Sequence, residues 1–136
     1  MTQGAPPLGD DQGSDLLDAS AVLAWLQKEP GAEQVDAIVE RSSIGAANWS
    51  EVLQTAWHHG RDGDEVAALL LALGLTVEAV TSEIASEAAR MWSHCPDLSL
   101  ADRLCLAAGR MRGATVWTAD RTWADRSLGV VVKVLR

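Results

Sequence analysis

Phenylalanine and tyrosine are absent from this 136-residue chain, and its only aromatic residues besides histidine are six tryptophans. The core must therefore be built from small and branched aliphatics, and 22 Ala, 17 Leu and 12 Val are there to build it. Most of the six Trp are expected in that core. Cysteine is scarce: Cys95 and Cys105 are too few for a disulfide framework, no CxxC spacing occurs, and both read as reduced packing thiols. Long apolar runs are missing as well. The longest, Val66 to Val77, is broken by Gly74 and Thr76 and falls short of the roughly 20 residues a membrane span needs. Residues 1–13 (MTQGAPPLGDDQG) have neither a basic start nor an apolar stretch, so no signal peptide is visible. They read as a disordered leader, and a cytoplasmic protein without a membrane is expected.

Basic residues are few where the chain begins. Residues 1–89 hold 15 acids and 3 bases, a balance of −12; residues 90–136 hold 4 acids and 8 bases, a balance of +4, which together make the net −8. An acidic chain of this kind is no bulk coat for nucleic acid. Seven of the eight late bases are Arg, the side chain suited to bidentate phosphate contacts.

Hydrophobic periodicity and stop signals give alternating short strands and helices. Strands are predicted at 14–18, 42–46, 75–80, 115–118 and 130–135. Helices are predicted at 19–28, 33–41, 48–59, 64–73, 82–93 and 99–112, with a short one at 120–126. Such alternation specifies an α/β fold, a three-layer α/β/α sandwich around a mostly parallel sheet. Sites in these folds form beyond the carboxyl ends of the strands.

Acids recur at those ends. Asp18 ends the first strand, Glu51 and Asp102 lie in the first turns of helices, and Asp120 follows the strand 115–118. Each also suits a cap: Asn48-x-x-Glu51 and Ser99-x-x-Asp102 have capping-box spacing, and Asp18 and Asp120 are good N-caps. Four carboxylates at one sheet edge repel unless a cation sits among them. A hard divalent ion with oxygen ligands, Mg²⁺ or Mn²⁺, answers that need. The helical phase sets Asp102 opposite a stripe of Leu100, Leu104, Ala107 and Met111, and Glu51 opposite Trp49, Leu53 and Ala56.

Four blocks carry a resemblance. LLDASAVLAWL (16–26), NWSEVL (48–53), LSLADRLCLAAGR (98–110) and TVWTADRTW (115–123) resemble, in order and spacing, the motifs of PIN domains over residues 14–136. Within that family they are most similar to VapC toxins, the ribonucleases of type II toxin–antitoxin pairs. The resemblance implies that Asp18, Glu51, Asp102 and Asp120 form a catalytic, metal-holding quartet, with Ser20 and Thr118 as supporting hydroxyls. It implies an endoribonuclease in which a metal-activated water attacks an RNA phosphodiester. It also implies a VapB-like antitoxin as partner and a homodimer. Arg103, Arg110, Arg112 and Arg121 are candidates for RNA phosphate contact, and Trp123 is the one tryptophan placed for substrate contact. The helices at 33–41 and 64–73, apolar on several faces, offer a groove to the antitoxin. A housekeeping PIN ribonuclease, or a catalytically silent PIN-fold binding module, is the alternative. A receiver domain or a haloacid-type phosphatase is disfavoured, because position 20 is Ser and the adjacent pair Asp10-Asp11 lies in the leader.

Overall fold

The computed structural model describes residues 14–136; the expected leader at 1–13 lies outside the described residues. Five strands form one sheet: β1 (Asp15–Leu17), β2 (Ser42–Gly45), β3 (Thr76–Glu78), β4 (Thr115–Thr118) and β5 (Val131–Val134). All pairings are parallel and the order is β3-β2-β1-β4-β5. Six α-helices connect them: α1 (Ala19–Leu26), α2 (Ala32–Asp36), α3 (Ala46–His58), α4 (Gly63–Ala72), α5 (Ser82–Met91) and α6 (Leu100–Arg112). The expected three-layer sandwich is the fold observed.

Strand alternation sorts the core into two halves. Leu17 and Ile44 point into a cluster with α1–α4, while Leu16 and Val116 point into one with α5 and α6. Short strands suffice because both faces are covered, as buried parallel sheets require. Local signals set the boundaries. Thr81 and Ser99 cap α5 and α6, accepting from the amides of Ile84 and Asp102 at 3.1 Å. Gly113, at φ 65°, ends α6 in the left-handed conformation. Gly109 is where α6 crosses β4: a Cβ there would stand 2.4 Å from a Val116 methyl.

Several expectations are corrected by packing. The helix predicted at 33–41 is α2 plus a separate 3₁₀ turn at Val39–Arg41. Ser42 Oγ donates to the Ile38 carbonyl at 2.7 Å and closes that turn; Val35, Ile38 and Val39 are buried as expected. The turn at Arg121–Asp125 is also 3₁₀. On α6 the buried residues are Cys105 to Gly109, whereas Leu100 and Met111 of the predicted stripe are exposed. The helix lies between the sheet and α5, so it buries more than one narrow face. Among the tryptophans only Trp123 is fully buried; Trp25, Trp49 and Trp117 lean on the core, and Trp57 and Trp92 are exposed. Trp123 is thus core rather than a substrate contact. Among the described residues, no helix is long and apolar enough to cross a membrane.

Candidate active site

The chain runs outward from β1 to β2 and β3, then returns past β1 to β4. The switch point therefore lies between β1 and β4, where the connections leave in opposite directions and open a crevice at the strands' carboxyl ends. Asp18 stands directly after β1, and Asp120 two residues after the end of β4.

Asp18 is held tightly. Its amide donates to the Trp117 carbonyl at 3.0 Å, extending the ladder by one rung. Its carboxylate caps α1 by accepting from the Ala21 amide at 2.8 Å. It also accepts from Ser20 Oγ at 2.7 Å and from Thr118 Oγ1 at 2.6 Å. Ser20 Oγ in turn accepts from the Ala119 amide at 2.9 Å, and Thr118 Oγ1 from the Asp120 amide at 3.0 Å. Two hydroxyls thus tie the ends of β1 and β4 together around one buried carboxyl. Burial raises its pKa to about 6; the three hydrogen bonds offset part of the shift, and the charge of Asp102 adds to it.

The other acids surround Asp102. Burial pushes the Asp102 carboxyl up, Ser99 pulls it down, the charge of Asp120 raises it and Arg126 lowers it. Glu51 is raised by burial, lowered by Asn48 and raised again by Asp102. Beneath them lies Cys105, whose thiol is pushed well up by burial and then by the charges of Asp18, Asp102 and Glu51. One buried thiol that senses three carboxylates marks their convergence independently of the acids themselves. The Cys105 thiol is accordingly neutral and inert. Asp120 accepts from the Thr122 amide at 2.9 Å and from its hydroxyl at 2.7 Å, and is exposed.

Capping and convergence coexist here. Asp18, Ser99 and Asp120 are the N-caps expected of them. Asn48 is not: α3 begins at Ala46 with Gly45 as its cap, and Asn48 lies inside the first turn with 1% exposure. Its Nδ2 donates to Glu51 Oε1 at 3.1 Å, so it orients Glu51 instead of capping the helix. The sequence hint was the i, i+3 spacing, read there as a box.

The arginines divide. Arg121, adjacent to Asp120, is exposed at the crevice. Arg103 is spent on carbonyls, donating to Ala88 at 2.9 Å and Leu98 at 3.4 Å and so clamping α6 to the segment before it. Arg110 pairs with Glu87 at 3.0 Å, and Arg112 reaches Ser14 Oγ at 3.5 Å. Ten residues of helix, roughly 15 Å, separate Arg112 from Asp102. Arg103, Arg110 and Arg112 therefore do not join the quartet as phosphate contacts. Arg126, which no sequence signal singled out, does: it acts on Asp102 while bonding Asp97 with both Nη atoms.

In this side-chain arrangement no three His, Cys, Asp or Glu side chains among the described residues close on one point as the ligands of an ion would. The donor set nonetheless fits a hard cation. It is all oxygen, its members raise one another's pKa, and Mg²⁺ characteristically binds through one or two carboxylates while keeping several waters.

A family model described as PIN domain matches residues 16–127. No curated protein matches the chain. Solved structures do. A toxin–antitoxin complex from Klebsiella pneumoniae aligns at TM-score 0.72 and 18% identity, over 89% of this chain and 97% of that one. The VapC20 toxin of Mycobacterium tuberculosis, described as cleaving the sarcin–ricin loop, aligns at 0.70 and 19%, over 87% and 97%. DNA-bound VapBC from Salmonella typhimurium aligns at 0.69 and 14%, over 90% and 98%. At these identities the likeness is one of fold.

Proposed function

The chain belongs to the PIN domain family, and from that premise we propose that it is a divalent-metal-dependent endoribonuclease, the toxin of a type II toxin–antitoxin pair. One observation carries this reading: Asp18 and Asp120 meet at the β1/β4 switch point, with Asp102 and Glu51 in the same electrostatic field.

Asp18, Asp102, Asp120 and Glu51 are the residues that would hold Mg²⁺ or Mn²⁺. When bound, such an ion supplies Lewis-acid activation of a water and neutralises charge on the phosphate. Ser20 and Thr118 keep the Asp18 carboxylate in one orientation, so little reorganisation accompanies binding. Asn48 holds Glu51 at the rim, where its raised pKa suits it to take the proton of an attacking water. Arg121 meets a substrate phosphate. The α5–α6 layer and Trp123 keep the floor of the crevice rigid.

The partner is a VapB-like antitoxin, as in the toxin–antitoxin complexes whose fold this chain shares. Trp57, Leu69 and Leu71 are each about half exposed on α3 and α4 and offer apolar surface to an amphipathic segment or to a second copy of the chain.

Metal exchange and co-expression test the reading. EDTA abolishes RNA cleavage, Mg²⁺ or Mn²⁺ restores it, and millimolar metal raises Tm because only the folded site binds it. Full cleavage in excess chelator overturns the assignment. Co-expression with a neighbouring small open reading frame yields a complex with suppressed activity; a complex that cleaves as well as the free chain points to the housekeeping ribonuclease instead.

A further inference from the structure

A cavity of about 280 Å³ lies on the α5–α6 side of the sheet, separate from the crevice. Its floor is apolar, formed by Leu16, Ile84, Leu104 and Ala108. Three polar side chains, Asn48, Glu78 and Arg112, also line it. Asn48 is 1% exposed and spends its Nδ2 on Glu51. Its Oδ1 has no hydrogen-bond partner among the described residues. That oxygen stands 3.6 Å from where a Gly45 Cβ would lie, and Gly45 is itself part of the cavity wall. Turning the amide over would set Oδ1 against a carboxylate, which only accepts; the oxygen is therefore committed to the cavity side. Glu78, the register partner of Gly45, accepts from Ser43 Oγ at 3.3 Å. At the far end, Arg112 Nη1 is buried without a hydrogen-bond partner among the described residues. Side chains lean toward the N-terminus of their helix, so Arg112 reaches back over Ala108 toward the other two.

A buried acceptor and a buried donor on one cavity call for an occupant that both donates and accepts. Size narrows the choice. A liquid water takes about 30 Å³, so the space exceeds one or two bridging waters. It also lies just under the roughly 300 Å³ at which drug-sized pockets begin. Charge narrows it further: a carboxylate and an amide oxygen at one end, a guanidinium at the other, aliphatic surface between.

We propose that this cavity binds a free aliphatic α-amino acid. Its carboxylate meets Arg112 Nη1, its ammonium meets Asn48 Oδ1 and Glu78, and its side chain covers Leu16, Ile84, Leu104 and Ala108. Occupancy pins the carboxamide that holds Glu51, which links the cavity to the crevice. That consequence rests on the function proposed above; the binding does not.

Calorimetric titration of the full chain with L-leucine, L-valine and L-methionine, each to about 10 mM, tests the site. At least one saturates with Kd below about 1 mM. 4-Methylpentanoate and isoamylamine, each lacking one of the two charges, bind about tenfold or more weaker. Arg112→Gln and Glu78→Gln each weaken binding about tenfold, and Ala108→Leu, which fills the floor, abolishes it. The Asn48 side-chain amide resonance moves on titration. No saturable heat from any of the three amino acids overturns the proposal and leaves water as the partner of Asn48 and Arg112. Binding that both Gln variants leave unchanged overturns it equally, and these two variants decide the matter even if Ala108→Leu fails to fold. Binding with the expected dependences by a chain that cleaves no RNA supports the site and overturns only the nuclease reading.

Discussion

Asp18 and Asp120 stand at the ends of neighbouring parallel strands, and each caps the turn that follows, yet they sit in opposite surroundings. Asp18 is 3% exposed and receives three hydrogen bonds from two hydroxyls and an amide. Asp120 is exposed and bonds only within its own turn, to Thr122. The first is part of the core and the second part of the surface, 102 residues apart in the chain and joined through Thr118. Their contrast suggests a division of labour. One carboxylate is held in place before any ligand arrives, and the open ones, Asp120 with the half-buried Asp102 and Glu51, adjust around the ligand and let it leave. Rigidity at Asp18 carries a cost, because a buried carboxyl prefers its proton.

The strongest way to break this comparison is to neutralise its members in turn. Asp18→Asn or Asp102→Asn is expected to lower RNA cleavage roughly 10³-fold, about 4 kcal/mol of transition-state stabilisation, with the fold retained by circular dichroism. Asp120→Asn is expected to cost roughly 10–100-fold. A greater loss at Asp120 than at Asp18 would reverse the assignment of rigid and adjustable halves.

Stability against pH sharpens the same contrast. The Asp18 pKa is about 6 in the fold and about 3.9 in an unfolded chain. Between those values the folded state keeps a proton that the unfolded state has released. Stability from this group is complete below about pH 4 and lost as pH rises through 6. In EDTA, urea unfolding of the wild type should therefore lose roughly 2–3 kcal/mol between pH 4 and pH 7 relative to Asp18→Asn. The raised carboxyls of Asp102 and Glu51 act with the same sign. Equal pH dependence in wild type and variant would show that Asp18 is not buried as described.

Thr118→Val removes the hydroxyl that joins the halves while keeping shape. It is expected to cost about 1–3 kcal/mol, since Asp18 and the Asp120 amide both lose a buried partner. Cleavage should fall roughly tenfold, as for loss of an orienting contact. The acid limb of the pH–rate profile should move to higher pH, because a bond favouring the ionised carboxyl is gone.

The smallest effects concern the arginines. Arg121→Gln is expected to reduce the slope of log affinity for RNA against log salt by about 1. Arg103→Gln should leave that slope unchanged while lowering stability by about 1–3 kcal/mol, as two carbonyls lose their donor. The opposite pattern would restore Arg103 to the phosphate-binding surface.

Much of this molecule was legible before folding because it is local. The alternation of strands and helices follows from apolar spacing and from Gly and Pro punctuation, and the caps at Asp18, Ser99 and Asp120 from side chains that bond amides two or three residues on. The acids could be placed at strand ends because a parallel α/β chain sends every strand the same way. The motif blocks lie within single strand–helix corners, so the family was readable too. Distant partners were not. Thr118 meets Asp18 across 100 residues, Arg103 meets Ala88 across a bend, and Arg126 comes to Asp102 only because the chain after β4 folds back. Periodicity says which face of a helix is apolar but not what that face meets. Asn48 could thus pass for a cap, Trp123 for a substrate contact and three committed arginines for free ones. The sequence by itself determined the order of elements and the kinds of side chain at each strand end. The tertiary structure alone decided which of those side chains are held, which are spent on neighbours and which stay free, because hydrogen bonds and burial are made in space between residues that the chain keeps far apart.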